Sequence, residues 1–278
     1  MQAFRYEDEL NADYLPPLSL WLAVEPLLPQ PVKPTKVGRK AKPDQQMFAA
    51  IYYRIRTGCQ WKALPRCLGA GSTVHDRHQE WVAAGVFERL WEHGLLQLHV
   101  EGGLDWSFQS IDGCTTKAPL GGEQTGDNPT DGGKTGTKRH LLTDTSGLPI
   151  SLLVTAADGN DKTQAQALLA AMPFLPPLPA GDHSMHFCAD KAYDSADIRS
   201  AIGLLGYSDH IKSRGQEYHA SQDQPGYRAR RWVCERTHSW LNRYRALLVR
   251  WEKKVANYKA LLFLACAQVV WKRSIVFG

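Results

Sequence analysis

The order of structural signals after residue 100 constrains this chain more than any other feature. WSFQSIDGCTT (106 to 116) alternates apolar and polar residues as a β-strand does. KRHLLTDTSGLPISLLVTAAD (138 to 158) holds two apolar runs split by Thr-Ser-Gly, a hairpin signal. DKTQAQALLAAM (161 to 172) reads as a helix ending at Pro173, MHFCAD (185 to 190) as a short strand, SADIRSAIGLLG as a helix and SDHIK as a strand. From about residue 225 the chain is helical again. Three strands, helix, strand, helix, strand and long helix predict an α/β region in which a meander precedes alternating strands and helices.

The first hundred residues carry helical signals only. LSLWLAVEPLL (18 to 28) has helical apolar spacing and stops at Pro29. PDQQMFAAIYYRIRTG (43 to 58) opens on Pro and Asp and closes on Gly58, the marks of a capped helix. Ser72 is the expected N-cap of STVHDRHQEW, and Gly85 divides that segment from VFERLWEHGLL. Two short helices joined by a turn suit a helix-turn-helix unit, and equally a helical cap or dimerisation module. The division expected is a helical domain over 1–100 and an α/β domain over 101–278. LGGEQTGDNPTDGGKTG, lacking periodicity, reads as a mobile loop.

Charge narrows the partners. The chain has 278 residues and a net charge of +5. Residues 213–254 hold ten Arg/Lys against four Asp/Glu, a local excess of six. KPTKVGRKAK (33 to 42) adds five basic residues and no acid. Such blocks fit a phosphate-rich partner or a solvated cationic face, and charge alone does not choose. No apolar run approaches a membrane span and the N-terminus lacks an apolar signal core, so a cytosolic location is the expectation. The six cysteines, widely spread without C-x2-C spacing, read as reduced thiols rather than a zinc site.

Three acids stand out by position. Asp112 lies near the end of the first strand, and Asp190 ends MHFCAD. Glu235 lies within RARRWVCERTHSWLNRYR (228 to 245), where it is the one acid among six arginines. On a helix, Val233, Thr237, Trp240, Leu241, Tyr244, Leu248 and Trp251 form an apolar stripe, with Trp232 also expected in the core. Arg231, Glu235, His238, Asn242 and Arg245 form a polar one. Glu235 is thereby outside the expected core. It has two readings: an ion pair with Arg231 or His238 across one turn, or a hard oxygen ligand for a divalent ion. Phosphodiester hydrolysis needs a nucleophile at neutral pH and relief of charge on the leaving oxygen, and two divalent ions held by carboxylates provide both.

These segments resemble bacterial insertion-sequence transposases of the DDE type, the group named after insertion sequence five. IYYRIRTGCQWKALP and STVHDRHQEW resemble that family's N-terminal module. SIDGCTTKA resembles the segment of its first aspartate, GGKTGTKRHLLTDTSGLPI its Gly-rich loop and hairpin, CADKAYDS the segment of its second aspartate, and RRWVCERTHSWLNRYR that of its glutamate. The resemblance spans nearly the whole chain. It implies a ribonuclease-H-like mixed sheet flanked by helices, with an N-terminal all-helical domain. It implies Asp112, Asp190 and Glu235 as a catalytic triad holding two Mg²⁺ or Mn²⁺ ions, and Arg231 as a phosphate-binding arginine.

Further DNA contacts are expected from Arg228 and Arg243 in the same segment. Lys134, Lys138 and Arg139 in the Gly-rich stretch, Arg39 and Lys40 in the basic connector, and Arg77 in the N-terminal module complete the expected set. The sequence departs from the family pattern at Arg228, where a tyrosine is expected and Tyr227 lies one residue earlier. It departs again at Asn242, where a basic residue is expected and Arg243 follows, and at Asn160, where relatives often carry histidine. The partners implied are double-stranded DNA, at element ends and target, and a second copy of the chain. The rival readings are a DNA-binding remnant without activity, a nuclease of the same fold without strand transfer, and a structural interaction protein.

Overall fold

A computed structural model of the chain describes residues 6–30, 41–177, 185–212 and 232–277. Four helices come first: α1 (Leu18–Val24), α2 (Asp44–Thr57), α3 (Gly71–Ala83) and α4 (Val86–Val100). α1 is shorter than its apolar pattern suggests, because the chain tightens into a 3₁₀ turn at Glu25–Leu27 around Pro26. α2 ends where expected: Gly58 adopts φ 70°, and its N–H closes on the Arg54 carbonyl. α3 begins at Gly71 rather than after a Ser72 cap. Ala70 holds the N-cap position and no side chain caps the end. Gly85, at φ 67°, makes the turn into α4.

A six-stranded mixed sheet follows. Its strands are β1 (Phe108–Lys117), β2 (Gly126–Asn128), β3 (Lys134–Thr143), β4 (Pro149–Ala156), β5 (Met185–Asp190) and β6 (Tyr207–Lys212). The helices α5 (Asp161–Ala170), α6 (Ala196–Leu204), α7 (Trp232–Asn242) and α8 (Val255–Phe277) surround it. β1 lies at the centre, antiparallel to β3 and parallel to β5, and β6 extends the parallel side. β4 pairs antiparallel with β3 on its other edge, and β2 continues along that edge. This is the mixed, helix-flanked sheet of a ribonuclease-H-like fold. Part of the Gly-rich stretch expected as a loop is ordered, since Gly126–Asn128 and Lys134–Gly136 pair with each other.

The long C-terminal helix expected from residue 225 is two helices. Between them the chain leaves helical geometry at a 3₁₀ turn, Arg245–Leu247, and Val249 bridges to Lys117 of β1. Buried Arg250 holds this crossing in place. Its guanidinium donates to the carbonyls of Glu123 (2.6 Å) and Gln124 (3.2 Å) and to Thr137 Oγ1 (3.0 Å). α8 is apolar around much of its circumference and correspondingly buried: Tyr258, Leu262, Leu264, Ala265, Cys266 and Ala267 are fully enclosed. It lies on α4, with Phe263 stacked on Trp91 at 5.3 Å. Gly94 permits the approach, since a Cβ there would lie 3.2 Å from Val270. Trp91 Nε1 also donates to the Pro149 carbonyl (3.0 Å), so α4 touches both α8 and the sheet. Among the described residues, no helix is long and apolar enough to cross a membrane.

Candidate active site at the β1–β5 opening

β1 and β5 pair from Phe108↔His186 through Ser110↔Cys188 and no further. The same offset carried two residues on brings Asp112 level with Asp190, where the strands have parted. Side chains alternate along a strand, so Asp112 shares a face with Ser110 and Cys114, and Asp190 shares that face with Cys188. Asp112 sits in mid-strand rather than near the strand's end. β1 runs on to Lys117 because β3 continues to pair with it.

α7 covers this same face. The Arg139 guanidinium bonds Asn242 Oδ1 of α7 and lies 3.7 Å from Cys114 Sγ of β1. The Cys234 thiol donates to the Leu141 carbonyl (3.5 Å), and Leu141 is the β3 partner of Asp112. Burial pushes the Cys234 thiol well up, and the Asp112 and Glu235 carboxylates act on it in the same direction. Thr237 Oγ1 donates to the Gly147 carbonyl (2.7 Å) and fixes the next turn of α7. Glu235, one residue after buried Cys234, is exposed. His238, expected on the polar stripe, is buried instead. Desolvation lowers its pKa to about 3 and Arg139 adds to the effect, so it is neutral and forms no charged pair with Glu235.

Asp190 has a local task as well. Its Oδ1 accepts the N–H of Ala192 (2.6 Å), capping the turn at Lys191–Tyr193. That turn buries Tyr193, whose hydroxyl burial makes harder to ionise, with Asp161, Asp112 and Asp190 adding to the effect. Lys191 pairs with Asp194, which also holds Arg199 at 2.9 Å. The donor set of Asp112, Asp190 and Glu235 is three carboxylates, the oxygen chemistry that Mg²⁺ and Mn²⁺ require. Among the described residues, no group of three His, Cys, Asp or Glu stands ready-made as a metal cage. The fit therefore rests on donor type and on the shared face.

The expected DNA-binding cations divide sharply. Arg139 is wholly buried, tying β3 to α7 through Asn242 and the His238 carbonyl, so it presents no charge to solvent. Lys138 points to the opposite sheet face, where it donates to the Gly159 carbonyl (2.9 Å) and pairs with Asp161 (3.0 Å). Neighbouring residues of a strand face opposite ways, so Lys138 and Arg139 cannot close together over one ligand. Arg77 is held by Asp44 and by Glu80 at 3.1 Å. Lys134 is exposed beside Asp131 (3.5 Å), and Arg243 is exposed. Arg39, Lys40, Arg228 and Arg231 lie outside the described residues.

Other expectations shift for physical reasons. Leu248 and Trp251, placed in the core by helical spacing, and Trp232, also expected there, are 50%, 51% and 41% exposed. The helix that would have carried Leu248 and Trp251 inward ends at Asn242. Arg236 stacks over both Trp232 (4.5 Å) and Trp240 (4.8 Å), covering indole faces that the core does not. Asn160 caps α5 by accepting the Lys162 N–H (2.9 Å), so the residue that departs from the family pattern has a structural role here.

Two family descriptions match this chain. "Transposase DDE domain" matches residues 106–270. The chain belongs to the DDE transposases. "Putative transposase of IS4/5 family" matches residues 18–91, which places this transposase in that branch. The "Putative transposase for insertion sequence element IS402" of Burkholderia cepacia is 37% identical over 155 residues, covering 54% of this chain and 70% of the relative. The "Insertion element IS402 uncharacterized 16.2 kDa protein" of the same organism is 35% identical over 115 residues, 40% of this chain and 78% of the relative. A solved structure, "Mos1 transposase paired-end complex with left transposon end", overlaps 86% of this chain and 82% of its own at 14% identity, with a TM-score of only 0.27. The match over 106–270 spans Asp112, Asp190 and Glu235, and the enzyme is a transposase that acts on DNA.

Proposed function

We propose that this transposase binds the terminal inverted repeats of an insertion sequence, cuts the element ends and joins the freed 3′-hydroxyls to target DNA. Asp112, Asp190 and Glu235 are its catalytic carboxylates. The observation that carries the reading is the common face: Asp112 and Asp190 level with each other on parting strands, with Cys234 of the Glu235 turn packed beside Asp112. These three side chains would hold two Mg²⁺ or Mn²⁺ ions if one carboxylate bridges. Bound there, such ions supply a nucleophile at neutral pH and relief of charge on the leaving oxygen.

The chain itself supplies position. β1 fixes Asp112, the Ala192 N–H orients Asp190, and the buried Cys234–Thr237 face of α7 sets where Glu235 emerges. Arg243 and Lys134 offer exposed charge for phosphates, joined by Arg228, Arg231, Arg39 and Lys40. The helical region 1–100 grips the repeat and the region 101–278 carries the chemistry. Cutting two ends in concert calls for a homodimer on DNA, in the bacterial cytoplasm and at the nucleoid when bound.

The test is incubation with labelled element-end duplex, with and without Mn²⁺. Nicking at the ends and strand-joined products should require the metal, and should vanish in Asp112→Ala, Asp190→Ala and Glu235→Ala. Cleavage that survives all three substitutions sinks the site. Cleavage indifferent to terminal sequence, without joined products, replaces the transposition reading with a general nuclease.

A further inference from the structure

Tyr193 carries a hydroxyl where packing alone needs only a phenyl ring. The residue is 2% exposed, and its Oη is enclosed without a hydrogen-bond partner. A buried donor left in this state costs stability and calls for an explanation. The turn that carries it follows Asp190 directly and packs on α5, β5 and β6. Burial acts most strongly on the hydroxyl, and after it Asp161, Asp112, Cys234 and Asp190, in that order. Asp161 opens α5, on the sheet face away from Cys234 and α7. Gly113, next after Asp112, points to that far face. A Cβ on Gly113 would stand 2.9 Å from Asp161 Oδ1, so the absence of a side chain lets Asp161 rest against β1. Asp161 Oδ1 has the Lys138 ammonium 3.0 Å away as a charge partner, yet no donor is aligned on it. A donor without a partner on the Asp190 turn and an acceptor without one beneath the residue after Asp112 thus lie on the two sides of the β1–β5 opening. Strand pairing stops at Ser110↔Cys188, so the ladder does not fix the spacing of Asp112 and Asp190. Like carboxylates there repel each other.

We propose that Tyr193 and Asp161 are positioning residues that brace this opening: in the metal-loaded protein the Tyr193 hydroxyl donates to the Asp161 carboxylate and so holds Asp112 and Asp190 at one spacing. The inference rests on the carboxylate-site reading above. Tyr193 moves with Asp190, because the Asp190 side chain caps the Tyr193 turn through the Ala192 N–H (2.6 Å). Asp161 moves with Asp112, because it lies against Gly113. A bond between them therefore ties the two ligands together from behind, without touching metal or DNA. Partners of this kind orient carboxylates, and their loss ordinarily weakens metal binding about 10- to 100-fold. The metal-free protein does not use the bond, which is why the hydroxyl is found without a partner.

The test is calorimetric titration of the full-length chain with MnCl₂, beside thermal midpoints taken without metal. Tyr193→Phe keeps the ring and removes the hydroxyl. It should bind Mn²⁺ about tenfold more weakly than the parent, while its metal-free midpoint is equal or higher, since a buried donor without a partner has gone. A hydroxyl with an ordinary structural role would show the reverse, a lower metal-free midpoint with unchanged affinity, and that result overturns the brace. Asp161→Ala supplies the second arm. Lys138 keeps the Gly159 carbonyl (2.9 Å) in that variant, and circular dichroism checks its fold. In the Asp161→Ala background, Tyr193→Phe should weaken Mn²⁺ binding no further. A full tenfold loss there as well shows that the hydroxyl acts on some other group, and it too overturns the brace. Each of these failures leaves the carboxylate site standing if Asp112→Ala abolishes Mn²⁺ binding. A parent that binds no Mn²⁺, or an Asp112→Ala variant that binds it as the parent does, overturns both readings.

Discussion

Asp190 shows why single residues resist assignment from sequence. A strand-ending aspartate is ordinarily a turn cap, and here its Oδ1 does cap the Lys191–Tyr193 turn. The two roles separate by substitution. Asp190→Asn keeps an oxygen for the Ala192 N–H and removes the charge, so it should abolish metal-dependent cleavage with little change in thermal midpoint. Asp190→Ala should also destabilise the fold by about 1 kcal/mol, as cap removal does. Full activity in Asp190→Asn would leave the residue a cap alone. Arg139 is the opposite case. A basic residue in a Gly-rich segment suggested DNA, yet it is buried against Asn242 and the His238 carbonyl. Arg139→Ala should cost about 2 to 4 kcal/mol in urea denaturation, because it leaves buried acceptors unpaired, while the salt slope of DNA binding stays as in the parent. The Asp190 cap is local and legible, whereas the Arg139 environment was not, since its partners lie roughly a hundred residues away.

At the scale of elements, punctuation was more legible than length. Gly58, Gly85 and the Thr-Ser-Gly turn break the chain where the sequence says, and β5, α6 and β6 follow their apolar patterns. The continuous C-terminal helix was misread, because helical spacing persists through 245–251 while Arg250 and the Lys117–Val249 bridge draw the backbone out of it. Spacing reports what a helix would bury, and not whether tertiary hydrogen bonds outcompete the helical ones. The end of α2 tests this junction. Gly58→Ala forces a left-handed residue to carry a Cβ 3.1 Å from Arg245. It should lower stability by about 1 to 2 kcal/mol, measured by denaturant midpoint at constant m-value, with the loss transmitted to the 3₁₀ turn that α2 packs upon.

For the whole molecule, buried titratable groups set the response to acid. Burial lowers His78 and His238 to about 3 and His140 to about 4, all below the ordinary histidine value of 6.5. A folded-state pKa below the unfolded one means the stability is complete above pH 6.5 and is lost as pH falls toward 4. Buried Asp144, raised to about 6, works in the other direction: its protonated form suits the fold, so acid between pH 6 and 4 relieves a cost present at neutral pH. Three groups against one give a net loss. Thermal midpoints should fall steadily from pH 6.5 to pH 4.5, and Asp144→Asn should raise the midpoint at pH 7.5 more than at pH 4.5. A flat midpoint across that range would contradict the burial of these histidines.

The sequence by itself determined most of the strand and helix order and the family pattern, and it singled out three acids as candidates, because these depend on local spacing and on residues that recur as short motifs. Only the tertiary structure decided which arginines are buried and that Lys138 and Arg139 face apart. Charge in a sequence has sign but no direction. Direction comes from packing between segments far apart in the chain.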